Sequence, residues 1–117
     1  MTGFTALEEA ALADICARFP NDRAALLAQL ATATVTKREN SGAGFFTSFE
    51  VSHNGAPLAG DRMRSGGWAR IDGFKQPVGF ILWLEDGYAD CLEGFTIDDS
   101  TVGVDLTTLA FEFDPPS

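Results

Sequence analysis

The chain has few of the side chains on which catalysis and metal binding usually depend. It contains two cysteines, Cys16 and Cys91, and one histidine, His53, among 117 residues. The cysteines are too few for a disulfide framework and lack the spacing of zinc ligands, so we interpret them as small apolar residues. His53 lies in a polar stretch that is typical of surface loops. No catalytic residue, metal site or cofactor is predicted, and the pattern favours a non-enzymatic protein without excluding an enzyme.

Long apolar runs are also missing. No segment approaches the roughly 18 apolar residues that a membrane-spanning helix needs. The first residues, Met1 to Thr5, lack the basic start and apolar stretch of a secretory signal. We therefore expect a cytoplasmic protein with no membrane partner.

Basic side chains are absent from the last third of the chain. Residues 76–117 contain nine Asp or Glu and no Lys or Arg, and the whole chain has a net charge of −9. Binding to a nucleic acid needs clustered Lys and Arg, so that class of partner is not expected. The asymmetry permits a basic protein partner, a cation or simply a well-solvated surface. Asp98 and Asp99 are candidate contact residues here, although such aspartates are more often turn formers.

The N-terminal third is predicted to form two helices. A capping-box pattern begins at Thr5, and apolar residues recur at every fourth position, which predicts a first helix over residues 5–19. Pro20 ends this helix. A second helix is predicted from a cap at residue 21 or 22 to about residue 32.

After Ala33 the sequence changes to β-branched residues, Phe and glycine-containing turns, which is the composition of strands. Asp86-Gly87 between two apolar runs predicts a hairpin with a two-residue turn. Two helices followed by five to six hairpin-linked strands predict a single α+β domain over residues 1–117, with the helical hairpin on one face of an antiparallel sheet. The predicted strands are residues 34–39, 45–51, 68–71, 78–85, 88–95 and about 109–113, with an irregular loop at 52–67 and a tail at 114–117.

The predicted hairpin register assigns side chains to two faces. Ile81 and Trp83 share one face with Tyr88, and we expect this apolar patch to be an interaction surface that could support a homodimer. Glu93 is predicted opposite Phe80, on the more uniformly apolar face that should form the core. A carboxylate there is either buried and hydrogen-bonded or reaches water at the end of the sheet.

Three other polar patterns are weak. The carboxylates of residues 85–105 match no calcium loop. Gly42-Ala43-Gly44 lacks the third glycine of a nucleotide-binding fingerprint and precedes a strand instead of a helix. The four bases from Arg62 to Lys75 are spread over fourteen residues and interleaved with Asp61 and Asp72, which favours an ordinary exposed loop over a small-anion site.

Two segments, Arg38–Thr47 and Gly79–Thr96, carry a family resemblance. The second contains a DG hairpin followed by LEGFT, and together they resemble small bacterial cytoplasmic proteins of uncharacterised function. The resemblance implies a small bacterial domain with no assigned catalytic residue. Similar hairpins occur in immunity-type proteins that neutralise toxins. We therefore predict a protein-interaction domain, either immunity-like or self-associating; the alternative is a small-molecule binding domain or minor enzyme with a pocket between helices and sheet.

Overall fold

The structure of this protein is a computed structural model that describes residues 1–113, so the predicted tail at 114–117 lies outside the described residues. Two α-helices precede the strands: α1 spans Ala6–Arg18 and α2 spans Arg23–Ala31. The strands are β1 (Thr34–Asn40), β2 (Gly44–Glu50), β3 (Met63–Ile71), β4 (Val78–Glu85), β5 (Tyr88–Phe95) and β6 (Phe111–Phe113).

The six strands form one antiparallel sheet in the order β1-β2-β5-β4-β3-β6. Both helices pack on the same face, α1 against β3 and β4 and α2 against β5. We call this helix-covered side the inner face. The predicted α+β class, with the helical hairpin on one face of an antiparallel sheet, is confirmed.

The start of α1 follows the capping pattern in the sequence. Thr5 Oγ1 accepts a hydrogen bond from the Glu8 backbone N–H at 3.2 Å, and Glu8 Oε1 accepts one from the Thr5 N–H at 2.8 Å. Asp22 occupies the N-cap position of α2, but its side chain makes no capping hydrogen bond. Its carboxylate instead accepts from Arg64 Nε at 3.0 Å, which ties the helix joint to β3.

Most predicted boundaries differ from the structure by two residues or fewer, but the start of β3 was predicted wrongly: β3 begins at Met63, so residues 63–67 are strand and the irregular loop covers only 51–62. The prediction failed because Gly66 and Gly67 suggest a loop. In the structure the β3–β4 register shifts between Ser65 and Trp68. A Cβ at Gly66 would lie 2.8 Å from a side-chain carbon of Ile15. The two glycines therefore permit close approach of α1 to an irregular strand.

The core lies between the helices and the inner face. Phe80, Leu82 and Leu84 of β4 are buried there, as predicted from their alternation. They pack in one cluster with apolar residues of both helices, including Leu12, Ile15 and Leu26.

A buried ionic contact joins α1 to the sheet. Glu8 is only 2% exposed and accepts hydrogen bonds from Arg38 Nε at 2.9 Å and from the Thr47 hydroxyl. Burial alone would raise the pKa of Glu8, but these hydrogen bonds, the one from the Thr5 N–H and the charge of Arg38 outweigh it and lower the pKa. The carboxylate is therefore satisfied and links α1, β1 and β2.

Candidate functional site

The face of the sheet opposite the helices is rich in large apolar side chains. Alternation along the strands directs these side chains away from the core. Because both helices lie on the inner face, this side has no helical layer within residues 1–113. We define the outer face by eight residues: Phe46, Met63, Trp68, Ile81, Trp83, Cys91, Glu93 and Phe95.

Two of these residues are the most exposed of the eight: Met63 is 38% exposed and Trp68 39%. The other six are half-buried by their neighbours. Trp68 and Phe95 meet edge to face with ring centroids 5.4 Å apart. Gly79 makes this contact possible, because a Cβ there would lie 2.3 Å from the Phe95 ring.

The hairpin that supplies the centre of the outer face contains a bulge. Its turn has two residues, as predicted, with positive φ at Asp86 (53°) and Gly87 (86°). Leu84 pairs with Ala89 but Trp83 pairs with Cys91, so Asp90 has no partner on β4. An extra residue in one strand moves all later side chains to the opposite face.

The predicted register is therefore wrong beyond Asp90. Glu93 pairs with Ile81, and Gly94 takes the predicted place of Glu93 opposite Phe80. The core position on β5 belongs to Leu92, which is fully buried. Glu93 lies half-buried on the outer face, where its Oε1 accepts a hydrogen bond from the indole Nε1 of Trp83 at 3.0 Å.

A cleft of about 530 Å³ lies beside this face, at the end of the sheet where β5 begins. The β2–β5 ladder ends at the pair Ser48 and Cys91, next to the bulge. The cleft opens between the strand ends beyond that pair and is lined by Phe49, Glu50, Val51, His53, Glu85, Asp86, Tyr88, Ala89 and Asp90.

The lining of the cleft combines aromatic rings with negative charge. Tyr88 and His53 stack with ring centroids 4.0 Å apart and planes at 8°. Four of the lining residues are acidic and none is Lys or Arg. Burial raises the pKa of Asp90, and the nearby Glu85 carboxyl raises it further, against the opposing charge of Arg62. The cleft thus favours a positively charged group.

Tyr88 has a different environment from Ile81 and Trp83, with which the sequence grouped it. Its hydroxyl lies within hydrogen-bond distance of the carbonyl oxygens of His53 at 3.2 Å and Gly55 at 2.8 Å. Tyr88 therefore fixes the 51–62 loop and forms a wall of the cleft, whereas Ile81 and Trp83 lie in the centre of the outer face.

Asp98 and Asp99 lie at the opposite end of the sheet, beyond the end of β5. Asp98 is exposed. Asp99 accepts hydrogen bonds from the backbone N–H groups of Lys75 at 3.0 Å and Gln76 at 3.0 Å, which lower its pKa. Asp99 thus anchors the β3–β4 connection, and neither residue is among those that define the outer face or line the cleft.

The two cysteines and the carboxylates have the following environments. Burial raises the pKa of both Cys16 and Cys91, which disfavours the reactive thiolate. Among residues 1–113, no three His, Cys, Asp or Glu side chains are grouped to hold a metal ion. Apolar surface beside fixed negative charge is an arrangement suited to recognition.

Sequence reasoning placed only two of the eight outer-face residues correctly, Ile81 and Trp83, because the predicted register put Cys91 and Glu93 on the core face. It did not group Phe46, Met63, Trp68 and Phe95 with Ile81 and Trp83, because that grouping depends on the strand order and on the early start of β3. It also missed the cleft. Alternation within β2 and within β3 was the available signal for the outward direction of Phe46 and Trp68.

Comparisons with family models, curated proteins and solved structures give no significant match. In the part of the chain that the structure describes, no helix has the length and apolar character needed to cross a membrane.

Proposed function

We propose that this protein is a non-enzymatic protein-interaction domain and that the outer face of its sheet is the contact surface. One observation carries the proposal: a sheet face that displays two Trp and two Phe is left without a helical layer, while the helices cover the other face. Contiguous apolar surface of this kind is uncommon on soluble monomers and marks interaction sites.

The size and composition of the outer face fit this role. The molecule measures 40 × 31 × 21 Å, so a two-layer domain with this footprint has a broad sheet face. Specific interfaces take about 800 Å² from each partner, which such a face can supply. Aromatic residues and Met are enriched in interfaces. Trp68 and Met63 are the exposed members, and Ile81 and Trp83 supply the centre.

The predictions of an immunity-like role, a bacterial origin and a cytoplasmic location belong to the same proposal, and the predicted homodimer is the alternative way of covering the same face. An acidic domain that neutralises a basic toxin would use a solvent-accessible face of this kind. A second copy of the chain could also cover it, since isologous packing of one patch on itself is the commonest form of dimer.

The test compares two double variants as bait in extracts of the source organism. Met63→Ser with Trp68→Ser removes apolar surface from the outer face. Leu27→Ser with Val102→Ser removes exposed apolar side chains elsewhere, because Leu27 is 47% and Val102 77% exposed. We expect quantitative mass spectrometry to show at least one protein that binds the wild type and the control but is lost from the outer-face variant. If no protein, including a second copy of the chain, distinguishes the two variants, the proposal fails.

A further inference from the structure

We propose that the occupant of the outer face is a basic protein, which places one cationic side chain against Glu93 and another in the adjoining acidic cleft. This inference rests on the proposed function and names the partner's chemistry. The distribution of charge over the face and the cleft favours such a partner.

The charges on the outer side of the sheet do not balance. At the β1 edge, Lys37 is paired with Glu39, and at the β3–β6 edge Arg70 lies 3.5 Å from Glu112. Three further carboxylates, those of Glu50, Glu85 and Glu93, lie between these edges in the alternation of β2, β4 and β5. Arg62, just before β3, is near enough to Asp90 to offset part of this negative charge. The middle of the surface is therefore apolar and negative, which a basic partner complements.

Glu93 favours a basic partner over a second copy of the chain. Its carboxylate lies among apolar neighbours and, within residues 1–113, accepts one hydrogen bond, from Trp83 Nε1, although a carboxylate can accept about four. A partner that covers this face removes water from the remaining acceptor positions. A second copy would bring another Glu93 to the face and add a net charge of −9, whereas an Arg or Lys would supply the missing donors.

The cleft offers a second place for a cation. Its four acidic residues line the same cleft as the stacked rings of Tyr88 and His53. A guanidinium group binds carboxylates through its planar donors and also stacks on aromatic rings. Since the cleft begins where the β2–β5 ladder ends, beside Cys91 of the outer face, one partner can reach both places.

The experiment uses two defined probes: acetyl-triarginine amide and its neutral isostere, acetyl-tricitrulline amide. Each is titrated into ¹⁵N-labelled protein while the backbone amide signals and the two Trp indole signals are followed by NMR. We expect triarginine to shift the Trp83 indole signal and the amides of residues 88–93, with an affinity that falls as NaCl is added. Tricitrulline should leave these signals unchanged.

Matched variants locate the binding site. Glu85→Gln with Glu93→Gln should weaken triarginine binding at least fivefold, and Glu93→Gln retains an acceptor for Trp83. Glu9→Gln with Asp72→Asn removes the same charge at exposed positions on α1 and after β3, and should change the affinity less than twofold. Equal weakening in both variants, equal shifts with tricitrulline, or shifts centred on Asp98 would overturn the inference.

Sedimentation equilibrium of the protein alone separates this inference from the proposed function. We expect a monomer. A dimer that dissociates when Met63→Ser and Trp68→Ser are introduced would support the outer face as a contact surface and overturn the basic partner in favour of a second copy. Loss of the triarginine response together with retained partner capture would likewise reject only the inference about charge.

Discussion

Trp83 Nε1 donates a hydrogen bond across neighbouring strands to Oε1 of Glu93, at a distance of 3.0 Å. The bond exists because the bulge at Asp90 moves Glu93 onto the face of Trp83 and Ile81. Without the bulge the carboxylate would face the apolar core, where a charged group is costly. The bulge therefore turns a core-facing acid into an accessible polar group within an apolar surface.

Substitutions at Glu93 should separate the hydrogen bond from the charge. Glu93→Ala leaves the indole N–H without its partner, and because both groups are only half-buried we expect a loss of about 0.5–1.5 kcal/mol in the free energy of unfolding. Glu93→Gln keeps an acceptor oxygen and should cost less. Urea unfolding measures both changes. In the Trp83→Phe background the difference between the two substitutions should disappear; a difference that persists there would show that another group bonds Glu93.

The Glu8–Arg38 contact predicts a pH-dependent stability. The pKa of Glu8 is held below its ordinary value of 4.5 in the folded protein, so the ionised carboxylate stabilises the fold above pH 4.5 and this contribution is lost as pH falls through the folded-state pKa. Glu8→Gln should lower the free energy of unfolding by about 1–3 kcal/mol at pH 7, because donors of Arg38 lose their acceptor. The Arg38 side chain is 31% exposed, so water can replace part of the lost hydrogen bonding and limit this cost.

Chemical unfolding between pH 7 and pH 3 measures this effect. The difference between wild type and Glu8→Gln should narrow as the pH falls. Glu9→Gln is the control, because Glu9 is the exposed neighbour on the same helix. A cost that is the same at all pH values would show that shape, and not ionisation, makes Glu8 important.

The sequence was sufficient to predict local structure wherever one physical rule dominated. The capping box at Thr5, the Asp86-Gly87 turn and the apolar alternation of Phe80, Leu82 and Leu84 each depend on residues close together in the chain, and each agrees with the structure. The α+β class followed from them.

Features that depend on distant contacts were not predictable in the same way. No residue near Asp90 signals a bulge, so the two-residue turn gave the wrong register beyond it. Gly66 and Gly67 suggested a loop, but in the structure they make room for Ile15 and Arg18 of α1. These residues lie about 50 positions away in the chain, so the local sequence gives no sign of the contact. The outer face and the cleft depend on β2 lying beside β5, a pairing that local patterns do not specify.

Gly44 should tolerate no side chain. Its φ is +135°, and a Cβ would lie 1.9 Å from the carbonyl oxygen of Gly94 on the neighbouring strand. Since backbone atoms cannot move aside cheaply, we expect Gly44→Ala to cost about 3 kcal/mol or more, at or above the upper end for overpacking. Gly55 has open space around it, and Gly55→Ala should be neutral or slightly stabilising. Similar melting temperatures for both variants would contradict this account of the β2–β5 contact.

Asp98 and Asp99 should behave differently although they are adjacent. Asp99→Ala removes the acceptor of the Lys75 and Gln76 N–H groups, so amide hydrogen exchange at these two residues should accelerate. Asp98→Ala should leave that exchange unchanged, because Asp98 is exposed and has no part in these bonds. Because the Asp99 pKa is below its usual 3.8, the protection should weaken only as pH falls through that lowered value. Equal exchange in the two variants would show that the connection is held by other contacts.

Asp90 is the position where stability and binding should oppose each other. Its pKa in the folded protein lies above the usual 3.8, because of burial and the Glu85 carboxyl. An acid with a raised folded-state pKa destabilises the fold by an amount that grows as pH rises above the unfolded-state pKa and is complete above the folded-state pKa, and the penalty is absent below the unfolded-state value. Asp90→Asn should therefore raise the melting temperature at pH 7, by an amount that vanishes below about pH 3.8. Asp98→Asn removes the same charge from an exposed site and should produce no such gain.

If Asp90→Asn lowers the melting temperature at pH 7, the carboxylate is stabilised by a bond at the bulge, and a cation in the cleft would not be needed to stabilise it. A gain in stability accompanied by weaker binding of triarginine would identify Asp90 as a residue whose cost to the fold is offset only when a positive group enters the cleft.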